Sequence, residues 1–343
     1  MTDVIIRTEG KAGHITLNRP KALNALTHQM CLDIEAAITA WATDDAVALV
    51  LIDAEGDRAF CAGGDIAKMY ETGTVGDFSY GRQFWTDEYR LNAKLKLYPK
   101  PIVTFLNGFT MGGGVGLGCH ASHRIVGETS QIAMPEVSIG LVPDVGGSML
   151  LGRAPGRVGD YLAISAARMT AGDAIYVGFA DHYLPEAAWD GLKTEMSATG
   201  KVEIPAHHAP ASDLKAQSDE IDRFFAGQTP GDILRLLNTS EDDFAKKSAK
   251  TLQRHSPLAM ACGLEILRRL RSTDDITRAL ELEYRFTARS MEHGDFLEGI
   301  RAQIIDKDRN PAWKHSIDAL PAVAVSQMLR PLGPDTLNLE DPS

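Results

Sequence analysis

The sequence predicts an α/β protein in which short strands and helices alternate through the first half of the chain. Three observations carry that reading. In four successive stretches a short apolar strand runs into a glycine- or proline-containing bend and then a helical segment. The stretches recur every few tens of residues, the spacing of a stacked superhelix of strand–helix units. Near residue 185 the alternation stops and helical signals take over. A doubly wound parallel sheet would show the same alternation, so the period alone does not choose between the two.

The first stretch pairs the strand His14–Leu17 with the bend Asn18-Arg19-Pro20 and a helix opening near Thr27, where Met30, Ile34, Ile38 and Trp41 form one apolar stripe. The second runs from the strand Val47–Ile52 through Phe60-Cys61-Ala62-Gly63-Gly64-Asp65 into a helix at Ile66. The third is the strand Ile102–Leu106, the bend Met111–Gly114 and a helix of small residues. The fourth holds Arg124–Val126, Gln131–Met134, a loop through Pro143-Asp144-Val145-Gly146-Gly147 and a helix near Ser148–Leu151. Residues 187–255 carry polar helical signals broken by Pro205, Pro210 and Gly227, and read as a connecting helical subdomain. Residues 256–343 read as a C-terminal helical region and tail. Its first helix has Leu264, Leu267 and Leu270 on one stripe, and its second has Ile276, Leu280, Tyr284 and Thr287, capped by Thr273 or Asp274. The stretch after Pro321 is expected to lie along the surface or fray.

Composition narrows the function. At 343 residues, with 44% hydrophobic and 24% charged, the chain can bury a full core without disulfides or metals. A net charge of −11 argues against nucleic acid as a partner, since phosphate neutralisation needs concentrated Lys and Arg. No apolar run approaches the roughly 18 residues of a membrane span, and the opening ten residues lack a signal-peptide pattern. Four cysteines without paired spacing point to a reducing compartment, and the cytoplasm is the expected location. Common signatures are missing: there is no phosphate-loop G-x-x-x-x-G-K-[ST], no G-x-G-x-x-G and no G-x-S-x-G elbow. His120 and His123 would share a helix face, but nothing near them in sequence completes a metal site, and no metal is expected.

Backbone-donor loops and carboxylates remain. The loops around Gly63-Gly64 and Gly112-Gly113 each follow a strand and open a helix, so their unpaired N–H groups could cradle one developing oxyanion. The plainer reading is that these glycines serve tight turns. Glu136 and Asp144 bracket one loop, which can return both carboxyls to one cavity as a general acid/base or nucleophile pair. Alternatively Asp144 caps the next helix and Glu136 is solvated.

Taken together, Asn18 to Leu26, Ala59 to Ile66, Gly108 to Gly118 and Met134 to Gly147 resemble the enoyl-CoA hydratase/isomerase (crotonase) superfamily. The resemblance implies a ββα superhelix over residues 1–186 and an acyl-CoA ligand. It also implies an oxyanion hole for the thioester carbonyl made by the N–H groups of Ala62 and Gly113, with Gly63 and Gly64 beside the substrate. Each such donor is worth about 2.7–4 kcal/mol in the transition state. Lys21, Ala22 and Leu23 match positions that line the nucleotide end of coenzyme A. Asp65 counts with the substrate-binding residues of the Gly63-Gly64 loop and is expected to act there by capping the helix behind it. Coenzyme A arrives within the substrate, so no separate cofactor is expected. Relatives form trimers and hexamers, so a homo-oligomer is allowed for.

One departure from the family pattern redirects the chemistry. Hydratases carry a glutamate where this chain has Gly116, and usually a glycine where it has Asp144. Glu136 and Asp144 with Gly116 resemble the 3-hydroxyisobutyryl-CoA hydrolase branch, a thioesterase of valine breakdown. Glu283-Tyr284-Arg285, Asp295 to Ala302 and Ile305 to Asp308 look like that branch too, as does Asp87 to Asn92, where Glu88 would reach the acyl group. The expected reaction is hydrolysis, with Glu136 attacking the carbonyl or activating water, and Asp144 orienting water or passing a proton to the departing thiol. An enoyl-CoA hydratase or isomerase using Glu136 alone is the alternative enzyme, and a non-catalytic CoA-binding protein the alternative outside enzymes.

Overall fold

The structure is a computed structural model describing residues 2–340. The strands form two sheets rather than one. β1 (Val4–Glu9) and β2 (Ala12–Leu17) make an antiparallel hairpin, and β2 continues in parallel register with β3 (Leu49–Ala54). A helix, α1 (His28–Ala42), joins β2 to β3, and its N-cap is Thr27, whose side chain accepts the Met30 N–H. Each later unit gives one strand to each sheet. β3 is followed by β4 (Ala59–Cys61), β5 (Ile102–Leu106) by β6 (Phe109–Met111), and β7 (His123–Val126) by β8 (Gln131–Ala133). With β9 (His182–Tyr183) the larger sheet runs β1-β2-β3-β5-β7-β9, while β4-β6-β8 form a parallel three-stranded sheet. This is the ββα superhelix, not a doubly wound sheet. Strands of three residues such as β4 and β6 leave no periodic trace in a sequence.

Helices fill the space around the sheets. α2 (Ala67–Thr74) and α3 (Ser79–Lys96) follow β4, α4 (Gly113–Gly118) follows β6, and α5 (Gly147–Gly152), α6 (Val158–Ser165) and α7 (Ala171–Val177) follow β8. α8 (Trp189–Thr199) covers the outer face of the larger sheet, packing Trp189, Leu192 and Met196 on Leu51, Phe105 and Ile125. Four helices, α9 (Asp213–Ala216), α10 (Ser218–Phe224), α11 (Pro230–Leu237) and α12 (Asp243–Leu252), lead to α13 (Pro257–Leu270) and α14 (Ile276–His293). Both predicted stripes on α13 and α14 are buried. The cap of α14 is Asp275, not Thr273 or Asp274. Its side chain accepts the Arg278 N–H, while Asp274 pairs with Lys96 and Arg153. α15 (Phe296–Ile300) runs into a π-helical turn at Arg301–Ile305. In the tail, α16 (Ala322–Leu329) buries Met328 and Leu329 instead of fraying. Arg289 of α14 donates to the carbonyls of Met328, Arg330 and Pro331, satisfying acceptors that the end of α16 leaves open.

A buried charge network fixes α3 against α1. Arg90 meets both oxygens of Glu35 at 2.7 Å and Asp87 at 2.9 Å, and Asp87 is 2.6 Å from His28 Nε2. Such a network costs desolvation and returns a specific geometry. Here it sets the rotation of α3 about its axis, and with it the direction of Glu88, Tyr89 and Asn92.

Candidate active site

Three loops leave the same ends of three adjacent parallel strands: Ala62-Gly63-Gly64 after β4, Gly112-Gly113 after β6 and Met134-Pro135-Glu136 after β8. Because the strands are parallel, their chain exits fall on one edge of the small sheet. Chemistry can therefore be assembled there from segments far apart in sequence. A cavity of about 160 Å³ opens at this edge, walled by Met69, Phe84, Trp85, Ile139 and Phe296, with Glu88, Glu136 and Asp144 among its lining.

The backbone donors differ from expectation at one position. The Ala62 N–H is already committed to the Leu23 carbonyl at 3.0 Å, so Ala62 lines the cavity but cannot donate to a substrate oxygen. The free amide lies two residues on. Among the described residues, Gly64 N–H and Gly113 N–H have no protein acceptor. The two glycines lie side by side: a methyl group built on Gly113 would stand 3.4 Å from the Gly64 nitrogen. Gly113 is the first residue of α4, where a helix leaves its N–H groups unpaired. Gly63 and Gly112, which precede these two amides, have φ of +115° and +50°, left-handed values that favour glycine.

The carboxyls converge on those amides. Glu88, on α3, is 4% exposed and its Oε1 has no partner. A methyl group on Gly113 would be 2.7 Å from that oxygen. Glu88 is therefore no solvated helix-surface charge but lies in the site, as the resemblance implies. Glu136 opens a 3-10 turn at Glu136–Ile139 and is 5% exposed. Its Oε1 would be 2.8 Å from a methyl on Gly112, and its Oε2 has no partner. It is therefore not a solvated loop residue. Asp144 is equally buried, and its Oδ2 accepts the Tyr89 hydroxyl at 2.7 Å. It does not cap α5, whose N-cap is Gly146.

Among the described residues no Lys, Arg or His lines this cavity, so the acids have no counter-charge there. Burial, then the charge of Asp144, pushes Glu88 and Glu136 well above the usual carboxylate range. Burial raises Asp144 to about 7, against the lowering pull of the Tyr89 hydrogen bond.

A fourth acid, Glu283 on α14, stands behind them, fully buried. It accepts the N–H groups of Gly146 and Ser148 at 2.8 and 3.2 Å and the Ser148 hydroxyl. Burial raises it to about 8, those three bonds opposing and the Asp144 charge adding. Glu283 thereby holds the turn after Asp144, where Val145 adopts φ +53°, a strained value for a β-branched residue. Residues far apart in the chain thus support one carboxyl. Tyr89 and Glu283 lie in stretches that resemble the hydrolase branch, Asp87 to Asn92 and Glu283-Tyr284-Arg285, but nothing in those stretches marks either as a support for Asp144.

Gly116 is closed to a carboxylate. A methyl group there would lie 2.7 Å from Val145 Cβ and 2.8 Å from Asn92 Nδ2, so the space of a longer side chain is already occupied.

The remaining expectations fall out as follows. Gly63 and Gly64 line the cavity. Asp65 does not cap α2, because Ile66 holds the cap position without a side-chain bond, and Asp65 instead pairs with Arg19 at 3.1 Å. Lys21 and Ala22 sit exposed on a 3-10 turn, and Leu23, at φ 52°, supplies the carbonyl that takes the Ala62 N–H. His120 and His123 do not share a helix, since α4 ends at Gly118. His120 Nε2 bonds the Val145 carbonyl at 2.7 Å, and His123 stacks on His182.

Known proteins match over most of the chain. A model of the enoyl-CoA hydratase/isomerase family fits residues 12–329. The mitochondrial 3-hydroxyisobutyryl-CoA hydrolase of Gallus gallus is 35% identical over 98% of this chain and 91% of its own length. A crystal structure of an enoyl-CoA hydratase from Rhodobacter sphaeroides 2.4.1 is 54% identical with a TM-score of 0.96, covering 98% of this chain and all of that one. One of a carnitinyl-CoA dehydratase from Mycobacterium thermoresistibile is 38% identical, TM-score 0.91, covering 99% of each chain.

Proposed function

The chain belongs to the enoyl-CoA hydratase/isomerase family, and from that premise we propose that it hydrolyses acyl-CoA thioesters, with 3-hydroxyisobutyryl-CoA as substrate, in valine breakdown. One observation carries the choice of hydrolysis over hydration. Two buried carboxyls, Glu136 and Asp144, stand with free backbone amides, while the position of a hydratase's second glutamate is a glycine whose space Val145 and Asn92 fill.

In this reading the thioester carbonyl oxygen takes the N–H groups of Gly64 and Gly113. Burial leaves Glu136 and Asp144 sharing a proton, and in the form with that proton on Asp144 the Glu136 Oε2, buried and without a donor, is the nucleophile, because a carboxylate oxygen free of hydrogen bonds is the more reactive one. Asp144, which does hold a hydrogen bond, handles the proton. Glu136 forms a C–O bond to the carbonyl carbon, the oxyanion collapses, the C–S bond breaks, and the thiolate takes the Asp144 proton. The Asp144 carboxylate then draws a proton from water. The hydroxide opens the mixed anhydride, returning Glu136 as carboxylate and releasing the hydroxy acid. No further cofactor enters, since coenzyme A arrives in the substrate.

Glu88 supports the choice of a hydroxyacyl group. Its unpaired Oε1, in a cavity lined otherwise by backbone, apolar side chains and two further acids, calls for a donor, and a substrate 3-hydroxyl is one. A site built around such a bond rejects the deoxy analogue by about 10⁴-fold. Lys21 and its turn remain the proposed contact for the nucleotide. As for location, no helix among the described residues is long and apolar enough to cross a membrane. Four buried free thiols support a reducing compartment. The cytoplasm is the compartment we propose, although the relative from Gallus gallus is a mitochondrial protein.

The Rhodobacter likeness favours the second reading, an enoyl-CoA hydratase. Incubation with 3-hydroxyisobutyryl-CoA and with crotonyl-CoA separates the two. Free thiol from the first supports the hydrolase, and loss of enone absorbance from the second without thiol overturns it. Single turnover in ¹⁸O-labelled water should leave label in Glu136. Such label requires hydroxide to add at the Glu136 carboxyl carbon of the anhydride, so its absence there rejects opening at that carbon while leaving hydrolysis standing.

A further inference from the structure

Tyr89 is the largest fully buried side chain of the molecule that touches the acid pair, and no element of the proposed reaction yet uses it. It sits one residue after Glu88 on α3, so the helix turns the two side chains toward different parts of the site. Its hydroxyl is 2.7 Å from Asp144 Oδ2 and 3.4 Å from Thr287 Oγ1, and its ring meets that of Tyr284 edge-on at 6.2 Å. Thr287 and Tyr284 belong to α14. A phenol held by two helices cannot swing away from the carboxyl it serves.

We propose that Tyr89 is a positioning residue for thioester cleavage, its hydroxyl orienting Asp144 and priming that carboxyl to give its proton to the departing sulfur. The inference rests on the hydrolase reading above. A donated hydrogen bond stabilises the charge that Asp144 acquires as the proton leaves, so it strengthens the acid. Every other titratable group facing this carboxyl acts the opposite way or not at all. Glu88 from α3, Glu136 from the loop after β8 and Glu283 from α14 are acids that repel a negative charge. His120, bonded to the Val145 carbonyl beside it, is neutral because burial lowers it to about 4. Tyr89 is the one side-chain donor to Asp144 among the described residues. Glu136 has no such donor at Oε2, and the contrast divides proton handling from nucleophilic attack.

Tyr89→Phe keeps the ring and removes the hydroxyl. It should lower kcat about tenfold with KM little changed, and move the alkaline limb of the kcat profile up by about one pH unit, the effect of one charge-assisted hydrogen bond. In an Asp144→Asn background the same substitution should cost nothing more. Carbon-13 NMR of aspartate-labelled protein, with Asp144 identified by its loss in Asp144→Asn, should show the same upward shift without substrate. A wild-type protein that releases no thiol overturns the functional reading and this inference with it. A working hydrolase whose Tyr89→Phe variant keeps both limb and carboxyl titration, or whose two substitutions multiply, overturns this inference alone.

Discussion

Glu136 and Asp144 have the same degree of burial and nearly the same chemistry, yet their surroundings divide them. One has an oxygen without a donor, the other a phenol at 2.7 Å. Glu136→Gln preserves the shape and removes the attacking charge. Its kcat should fall by at least roughly 10³-fold, the scale of losing a reacting group, with substrate affinity nearly intact. A wild-type kcat in that variant would remove Glu136 from the reaction. Both acids were legible in the sequence because each follows a proline within a recognisable motif. Ala62 misled for a physical reason: which amide of a glycine loop is left free depends on the local φ, and Gly63, at +115°, lies between the bonded Ala62 N–H and the free Gly64 N–H. Sequence spacing does not carry that angle. Tyr89 was illegible because a buried tyrosine on a helix reads as ordinary core.

At the level of elements, the helices with clean stripes were readable: α1 with Met30, Ile34, Ile38 and Trp41, α13 with its leucines, and α14. α3 was not, although it carries three residues of the site. Asp87, Glu88, Arg90 and Asn92 are all buried, so polar residues occupy the inward face and erase the apolar period. The fit of α4 against α3 also limits what the site can become. Gly116→Glu restores a hydratase's pattern on paper, but the new side chain meets Val145 Cβ and Asn92 within 3 Å. That variant should melt lower than the parent and leave crotonyl-CoA unhydrated. A stable variant that adds water to the double bond would show that the two helices can part.

On the scale of the whole molecule, Glu88, Glu136, Asp144 and Glu283 titrate higher in the folded chain than they would unfolded. The native state then holds protons that the unfolded chain has released. Stability is therefore fully present below about pH 4 for these groups and is lost as pH rises through about 7 for Asp144 and about 8 for Glu283. Each group contributes at most about 1.4 kcal/mol per pH unit across its window. Melting temperature measured from about pH 5 to 9 should fall, and Asp144→Asn should flatten part of the fall. A parallel curve for the variant would count against a raised Asp144. That same ring of acids without a counter-cation bears on turnover. It admits an uncharged thioester without penalty, but once the bond is cut the freed hydroxy acid is itself a carboxyl in a site with no cation to meet its charge, so its ionisation is favoured only in water and draws the product out.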